Sequence, residues 1–157
     1  MSSAHHNLSS FDPNSLPNAE NRVIGIVVAE WHSEITEALY KGALEALNLA
    51  KVQPENIHLF KVPGTYELPY GAVKIIDKHH PDAVVCLGCV IQGETRHFEF
   101  ICNAVANGLM QLNIQYKIPV TFGVLTTDTL EQAQNRSGGK HGNKGFEAGL
   151  TALKSIY

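Results

Sequence analysis

The stretch A-V-V-C-L-G-C-V-I-Q-G-E-T-R-H, residues 83–97, combines a strand, a tight turn and a helix start. Its apolar run stops at Gly93, the Gly93-Glu94-Thr95 turn follows, and a helical pattern opens at His97. A helix start offers unpaired backbone N–H groups and a positive dipole end, which suit a phosphate group. A histidine there can transfer protons near neutral pH. The stretch therefore predicts an enzyme acting on a small phosphorylated substrate.

Strand and helix patterns alternate along the rest of the chain. Apolar, β-branched runs predict strands over 23–29, 56–62, 82–91 and 120–126. The predicted helices are one capped by Ser33, one with Pro69 in its first turn and Pro81 after it, one over 97–116, a short one capped by Asp128, and a last one carrying Phe146, Leu150 and Leu153. Such alternation predicts an α/β fold with a parallel sheet covered by helices on both faces.

The segments that follow the predicted strands hold the unusual residues of the chain. They are 30–32, 63–67, 92–95 and 126–128. Ligands in parallel α/β folds bind beyond the carboxyl ends of the strands. We therefore expect the functional site on the rim that these four segments form.

Composition and charge exclude several classes of protein. The chain has 157 residues, of which 44% are hydrophobic and 17% charged, and this predicts one domain over 22–157. Residues 1–21 are polar and read as a flexible or extended arm. A net charge of −3 without a basic stripe argues against nucleic acid as a partner. No apolar run approaches the roughly 20 residues of a membrane span, and no secretory signal opens the chain.

The three cysteines are expected to be reduced, buried thiols of a cytoplasmic protein. Cys86 and Cys89 have C-x-x-C spacing, but they lie in a strand, where residues three apart face opposite sides. Redox pairs sit at helix starts and structural zinc needs four ligands, so no metal is predicted. The glycine- and lysine-rich segment 138–145 follows a helix and does not fit a phosphate-binding nucleotide loop, so no nucleotide cofactor is expected.

Four blocks in register carry a family resemblance. They are Trp31-His32, V-P-G-T-Y-E-L-P over 62–69, G-C-V-I-Q-G-E-T-R-H over 88–97, and the segment from Arg136 to Gly145. Together they resemble the 6,7-dimethyl-8-ribityllumazine synthase family from about Arg22 to the C-terminus. The resemblance implies a three-layer flavodoxin-like sandwich with a four-stranded parallel sheet. It also implies an N-terminal arm that can extend a neighbouring subunit's sheet.

The resemblance further implies a transferase of riboflavin biosynthesis. In that family 5-amino-6-(D-ribitylamino)uracil condenses with 3,4-dihydroxy-2-butanone 4-phosphate, and the products are the lumazine, phosphate and water. Each step moves protons, so no metal or redox cofactor is implied.

Site residues follow from the same resemblance. His97 matches the acid/base histidine, and Gly93, Glu94, Thr95 and Arg136 match the phosphate-binding residues. The positions that match the pyrimidine- and ribityl-binding residues are Trp31, Thr65, Tyr66, Glu67, Cys89, Val90, Ile91, Phe122 and Lys144. Phe122 and Lys144 match positions that complete a neighbouring subunit's pocket.

A homo-oligomer is implied as well. The resemblance indicates pentamers, and the short link over 137–143 is similar to that of members that close into sixty-subunit icosahedral capsids. Riboflavin synthase, which would use the product, is a candidate partner.

Other interpretations stay open on the residues alone. A helix-start histidine and a solvated arginine are common, a lone tryptophan is often core or rim, and Phe122 in a strand is typically core. The chain also carries Trp31, His32, Cys89 and Gln92 where other residues are more usual in the family. The rival functions are a non-catalytic lumazine or flavin carrier on this fold and a receiver-type signalling domain, although no acceptor aspartate follows the third strand.

Overall fold

The computed structural model describes residues 16–157, and within them strands and helices alternate as predicted. The elements are β1 (Ile24–Ala29), α1 (Ser33–Leu49), β2 (Ile57–Val62), α2 (Leu68–His79), β3 (Ala83–Ile91), α3 (His97–Tyr116), β4 (Val120–Thr127), α4 (Leu130–Gln134), β5 (Ser137–Gly139), β6 (Gly142–Asn143) and α5 (Lys144–Ile156). Single-turn 3-10 helices precede β2 and α2.

Four parallel strands form the main sheet in the order β2-β1-β3-β4. One face packs against α1 and α5, through residues such as Ile26, Val85 and Leu39. The opposite face packs against α2 and α3, through residues such as Val84, Ile75 and Leu109. Every residue of β1 is buried, because helices cover it on both faces. The predicted flavodoxin-like sandwich is confirmed.

The two strand cysteines point to opposite faces, as the strand period requires. Cys86 packs with the α2–α3 side and Cys89 with the α1–α5 side. Burial raises the pKa of both thiols, that of Cys89 to about 11. Both therefore stay neutral near pH 7, as the sequence predicted for core thiols.

The predicted cap of the first helix is wrong by one residue. His32, not Ser33, occupies the N-cap position, and its carbonyl accepts from the N–H of Ile35 (2.9 Å) and Thr36 (3.1 Å). His32 adopts the left-handed conformation with φ 58°, so Ser33 falls inside the first turn and its hydroxyl caps nothing.

The predicted cap of the short helix is also wrong by one residue. Thr129 Oγ1 accepts from the N–H of Gln132 at 3.2 Å, whereas Asp128 uses its own N–H to donate to the Gln132 side chain at 3.0 Å. Thr129 is extended, which is the backbone state that an N-cap needs.

A small hairpin lies where the sequence predicted only a glycine-rich loop. Strands β5 and β6 pair antiparallel, and Gly138 and Gly142 have φ values of 125° and 72°. Those positive values favour glycine, because a Cβ is strained there. The hairpin ends where α5 begins, so it sets the position of Lys144.

Residues 16–22 lie against the body of the protein. Ala19 is buried and donates its N–H to the carbonyl of Ala50 at 2.9 Å, and Arg22 pairs with Asp82 at 2.8 Å. Residues 1–15 of the predicted arm lie outside the described residues, so the division at residue 21 stays a prediction. Among the helices of residues 16–157, none is long and apolar enough to cross a membrane.

Candidate active site

Hydrogen bonds connect the segments beyond the strands into one rim. The N–H of Trp31 donates to the carbonyl of Pro63 at 3.1 Å, which links the ends of β1 and β2. Thr65 Oγ1 donates to the carbonyl of Cys89 at 3.2 Å, which links the next segment to β3. The predicted gathering of these segments at the carboxyl edge is therefore present.

The turn between β3 and α3 exposes unpaired backbone donors. Gly93, Glu94, Thr95 and Arg96 are all exposed, and within residues 16–157 their N–H groups have no acceptor. Unpaired N–H groups at a helix start bind anions well, since the helix dipole adds positive charge there. The turn is therefore chemically suited to an anion, and for that reason we call residues 93–96 the anion-binding turn.

His97 is the first residue of α3 and lies directly beside this turn. Its N–H contacts Thr95 Oγ1 at 3.4 Å, and the residue is exposed. Arg96 precedes it, but the Arg96 guanidinium pairs with Glu99 at 3.0 Å on the same helix. A ring one residue from the turn is placed to exchange protons with a molecule bound there.

Gln92 closes the turn from the other side. Its Nε2 donates to the carbonyl of Gly93 at 2.7 Å and to that of Thr95 at 3.3 Å. Its own N–H donates to the carbonyl of Thr127 at 2.8 Å, which fixes it to the end of β4. From the sequence, Gln92 was identified only as an uncommon residue at its position in the family pattern, and no local pattern indicated these contacts.

Trp31 lies on the rim with 69% of its surface exposed, so it is not a core residue. Its ring stands edge-on to that of His32, with centroids 6.3 Å apart and an interplanar angle of 89°. Burial lowers the pKa of His32, so this ring is more readily neutral than a free histidine. An exposed indole face at the rim can stack on a flat heterocycle.

Glu67 bends back over its own turn. Its Oε2 accepts from the N–H of Gly64 at 3.0 Å, and the residue is half-buried. Oε1 has no partner within the described residues, so it remains available to a hydroxyl group. Tyr66 beside it is exposed, whereas Thr65 is buried.

Thr65 fits against β3 because Gly88 has no side chain. A Cβ at Gly88 would lie 2.8 Å from Thr65 Oγ1 and 3.0 Å from Leu68 Cδ1. Beyond it, Cys89 is buried, while Val90 and Ile91 are half-buried at the end of the strand. The end of β3 therefore forms the floor between the Thr65 segment and the anion-binding turn.

The remaining predicted residues lie in a different place, a cleft of about 910 Å³ along β4. The cleft runs between the end of α3 and α5, and its lining includes Phe122, Arg136 and Lys144. Phe122 is 44% exposed, so the expectation of a core phenylalanine does not hold. The lining includes none of Trp31, Glu67, His97 or the turn.

Two basic residues, Arg136 and Lys144, line this cleft. Arg136 Nη1 donates to the carbonyl of Gln132 at 3.1 Å, and the N–H of Lys144 donates to the carbonyl of Arg136 at 2.8 Å. Lys144 Nζ pairs with Glu147 at 2.7 Å, with side chains only 18% and 12% exposed. Glu147 was not among the residues predicted for the site, although its i,i+3 spacing from Lys144 is a recognisable sign of an ion pair.

Asn143 positions the lysine. Its side-chain oxygen accepts from the N–H of Gly145 and Phe146, at 2.9 and 3.2 Å, and thereby caps α5. Its Nδ2 donates to the carbonyl of Ala38 at 2.8 Å and so connects α5 to α1. The cap was not predicted from the sequence, although asparagine before a helix is a common signal.

The candidate residues thus form two groups on one chain. We call the first the rim group; its members are Trp31, Thr65, Tyr66, Glu67, Cys89, Val90, Ile91, Gly93, Glu94, Thr95 and His97. We call the second the cleft group; its members are Phe122, Arg136 and Lys144. Residues 16–157 contain no cluster of three or more metal-ligating side chains.

This fold and rim define a flavodoxin-like α/β protein with an exposed turn of unpaired N–H groups and an adjacent histidine. A family model described as 6,7-dimethyl-8-ribityllumazine synthase matches residues 21–157, and the chain belongs to that family. A 6,7-dimethyl-8-ribityllumazine synthase of Cytophaga hutchinsonii is 58% identical over 99% of this chain and 98% of its own length. Proteins of the same name from Porphyromonas gingivalis and Parabacteroides distasonis are 51% and 49% identical, over 98% and 99% of this chain and 96% and 98% of theirs.

Proposed function

We propose that this chain condenses 5-amino-6-(D-ribitylamino)uracil with 3,4-dihydroxy-2-butanone 4-phosphate to give 6,7-dimethyl-8-ribityllumazine. It would act as a transferase in the penultimate step of riboflavin biosynthesis. Family membership over residues 21–157 supports this reaction. The observation in the structure that carries it is His97 beside a turn with unpaired N–H groups, because the reaction needs a bound phosphate and proton transfer together.

The phosphate binds at the 93–95 turn in this proposal. The N–H groups of Gly93, Glu94 and Thr95 and the start of α3 stabilise its charge. Arg136 supplies a guanidinium, which suits two-point contact with phosphate oxygens. This arginine comes from a neighbouring copy, since on its own chain it lies in the cleft group.

The pyrimidine stacks on Trp31 of the rim, and Glu67 Oε1 accepts from ribityl hydroxyl groups. The exposed indole supports the role of Trp31, and the carboxylate oxygen without a partner in the described residues supports that of Glu67. Thr65, Tyr66 and residues 89–91 line the rest of this half-site. Phe122 and Lys144 of a neighbouring copy close it.

The chemistry needs only ordered proton transfers. The 5-amino nitrogen attacks the ketone carbon, and loss of one water leaves an imine. Loss of a proton and of phosphate then gives an unsaturated intermediate, whose tautomer carries a carbonyl. The ribitylamino nitrogen attacks that carbonyl, and loss of a second water closes the ring. His97 accepts and returns the protons, and the protein holds both substrates in register.

The proposal is tested by phosphate release. Purified protein given the butanone phosphate should release phosphate in step with lumazine absorbance, and only when the ribitylaminouracil is present. Binding of the lumazine without any turnover would replace the enzyme by a non-catalytic carrier. Phosphate release that does not depend on the ribitylaminouracil would overturn the proposed condensation.

A pentamer is part of the proposal, because each complete site needs both groups. Helix α3 exposes three large apolar side chains on one side, Phe100, Met110 and Ile114, with exposures of 70%, 60% and 71%. Strand β4 has no partner on its outer edge within residues 16–157. A neighbouring copy packed on this side would cover both features.

Closure of pentamers into a sixty-subunit icosahedral capsid is the further step of this proposal. The short hairpin link over 137–143, which carries two positive-φ glycines, supports a tight contact between pentamers. We place the assembly in the cytoplasm, where its free cysteines stay reduced, with riboflavin synthase as a candidate partner. Light scattering coupled to size exclusion tests the assembly. A mass of five subunits that persists across phosphate concentration would remove the capsid and leave the pentamer.

A further inference from the structure

Gln92 contacts the anion-binding turn in a way that none of the predicted roles covers. The side-chain Nε2 carries two hydrogens and lies 2.7 Å from the Gly93 carbonyl and 3.3 Å from the Thr95 carbonyl. Both neighbours accept hydrogen bonds only, so the amide nitrogen and not the amide oxygen must face them. The orientation of this side chain is therefore set by its partners.

The two bonds determine where the backbone donors of the turn point. In a trans peptide the C=O and the following N–H point in opposite directions. A Gly93 carbonyl held towards Gln92 turns the Glu94 N–H away from it, and a Thr95 carbonyl held there does the same for the Arg96 N–H. The N–H groups of Glu94 and Arg96 therefore point away from Gln92, and neither has an acceptor in residues 16–157.

The turn needs such a constraint. Apart from its two chain neighbours, Gly93 has no atom within 4 Å of the position that a Cβ would take, so residues elsewhere in the chain do not confine it on that side. Glycine also has the largest backbone freedom of any residue. Gln92 itself is anchored, because its N–H donates to the Thr127 carbonyl at 2.8 Å at the end of β4. It can therefore hold the glycine-containing turn against the sheet.

We propose that Gln92 is a positioning residue, which fixes the 93–96 turn so that its N–H groups converge on the substrate phosphate. The proposal rests on the proposed function for the identity of that phosphate. Gln92 makes no contact with the reacting atoms in this scheme. Its effect should therefore fall on phosphate affinity and leave the chemical step nearly unchanged.

Steady-state kinetics of Gln92→Met tests this, since methionine keeps the length and removes both donors. Loss of two hydrogen bonds should raise KM for the butanone phosphate about 5- to 30-fold. It should also weaken the binding of inorganic phosphate, measured by calorimetry. KM for the pyrimidine should change less than about twofold. Gln92→Arg, which restores donors, should bring the phosphate KM back near that of the wild type.

Gln53→Met is the matched control. Gln53 also donates its Nε2 to a backbone carbonyl, that of Lys51 at 3.3 Å, but it precedes β2 at the opposite end of the sheet from the rim. Its replacement should leave both KM values unchanged. A crystal structure of Gln92→Met should show the 93–94 peptide rotated.

The outcomes separate the two proposals. An unchanged turn with unchanged phosphate KM, or equal rises in both KM values, overturns the role of Gln92 and leaves the condensation standing. Wild-type protein without turnover removes the condensation. In that case phosphate binding that is lost in Gln92→Met still supports the positioning role, and phosphate binding that is equal in both proteins overturns it.

Discussion

The rim group and the cleft group offer a ligand different parts of the polypeptide. The rim offers backbone N–H groups of an exposed turn, an exposed indole and one free carboxylate oxygen. The cleft offers side-chain cations, of which Lys144 is held by Glu147 with little exposure. Backbone donors are held by the strand and helix that flank them and by the Gln92 contacts, whereas long cationic side chains need a local partner to lose their freedom.

The positions of the two groups explain why, under the proposed function, one chain would carry two half-sites. The rim follows β1, β2 and β3, while the cleft follows the outer edge of β4. A rotation that repeats the chain can bring the cleft of one copy to the rim of the next, and closed symmetry then completes every site. The predictions below test each half and then their union.

The largest effect is expected in the rim group. His97→Ala should lower kcat by about 10- to 10⁴-fold, because acid/base help is lost while substrate positioning remains. His58→Ala is the control, because the His58 ring stacks on that of His79, with centroids 3.7 Å apart, and His58 is not part of either group. An equal loss in both variants, or none in His97→Ala, would remove the proton-transfer role.

The matching change in the cleft group is Arg136→Ala. Loss of a charge-assisted contact should raise KM for the butanone phosphate about 10- to 100-fold and affect the pyrimidine far less. Arg22→Ala serves as the control, because Arg22 also pairs with a carboxylate, that of Asp82 at 2.8 Å, but precedes β1 at the end of the sheet opposite the rim. Equal rises for both substrates would mean that Arg136 acts structurally.

The packing beneath the rim is tested by Gly88→Ala. The new methyl group would press on Thr65 and Leu68, so the free energy of unfolding should fall by about 1–3 kcal/mol. Gly93→Ala is the same change in open space and should leave thermal unfolding unchanged. If both variants melt alike, the Thr65 segment moves aside freely and does not constrain the rim.

The union of the two groups is tested by mixing subunits. Co-expression of His97→Ala with Arg136→Ala in equal amounts should recover about a quarter of wild-type sites. In a random assembly about half of the rims are intact, and about half of those face an intact cleft of the neighbouring copy. The control is each variant assembled alone. Activity that stays at the mean of the two single variants would place a whole site on one chain.

The smallest signal comes from Trp31, the only tryptophan of the chain. Binding of a ribityl pyrimidine analogue should quench its emission, since stacking places the heterocycle on the indole face. Calorimetry on the same sample reports binding independently. Confirmed binding with unchanged emission would move the pyrimidine away from Trp31.

Long periodic segments were predicted well from the sequence. The helix predicted over 97–116 has those same bounds, and β3 begins one residue later than predicted. Both signals are local, because apolar periodicity and the turn at Gly93 lie within a few residues of one another. The helix caps at Ser33 and Asp128 were wrong, since several adjacent polar residues can cap and only the backbone conformation selects one.

The residues of the candidate site and their placement on the rim were predicted, but their individual contacts were not. Local pattern and family resemblance named His97, Arg136 and Glu67 from their positions alone. Neither indicated that Gln92 would bind two carbonyls of the turn, or that Glu147 would hold Lys144 in a nearly buried pair. Such contacts depend on side-chain direction, which spacing does not specify.

By itself the sequence determined the alternation of strands and helices, the opposite facing of Cys86 and Cys89, and the residues that follow each strand. Those features depend on periods of two and 3.6 residues and on short turns. Only the tertiary structure decided that β4 lies at the edge and that Phe122, Arg136 and Lys144 share its cleft. Strand order joins residues far apart in the chain, and no local preference carries that information.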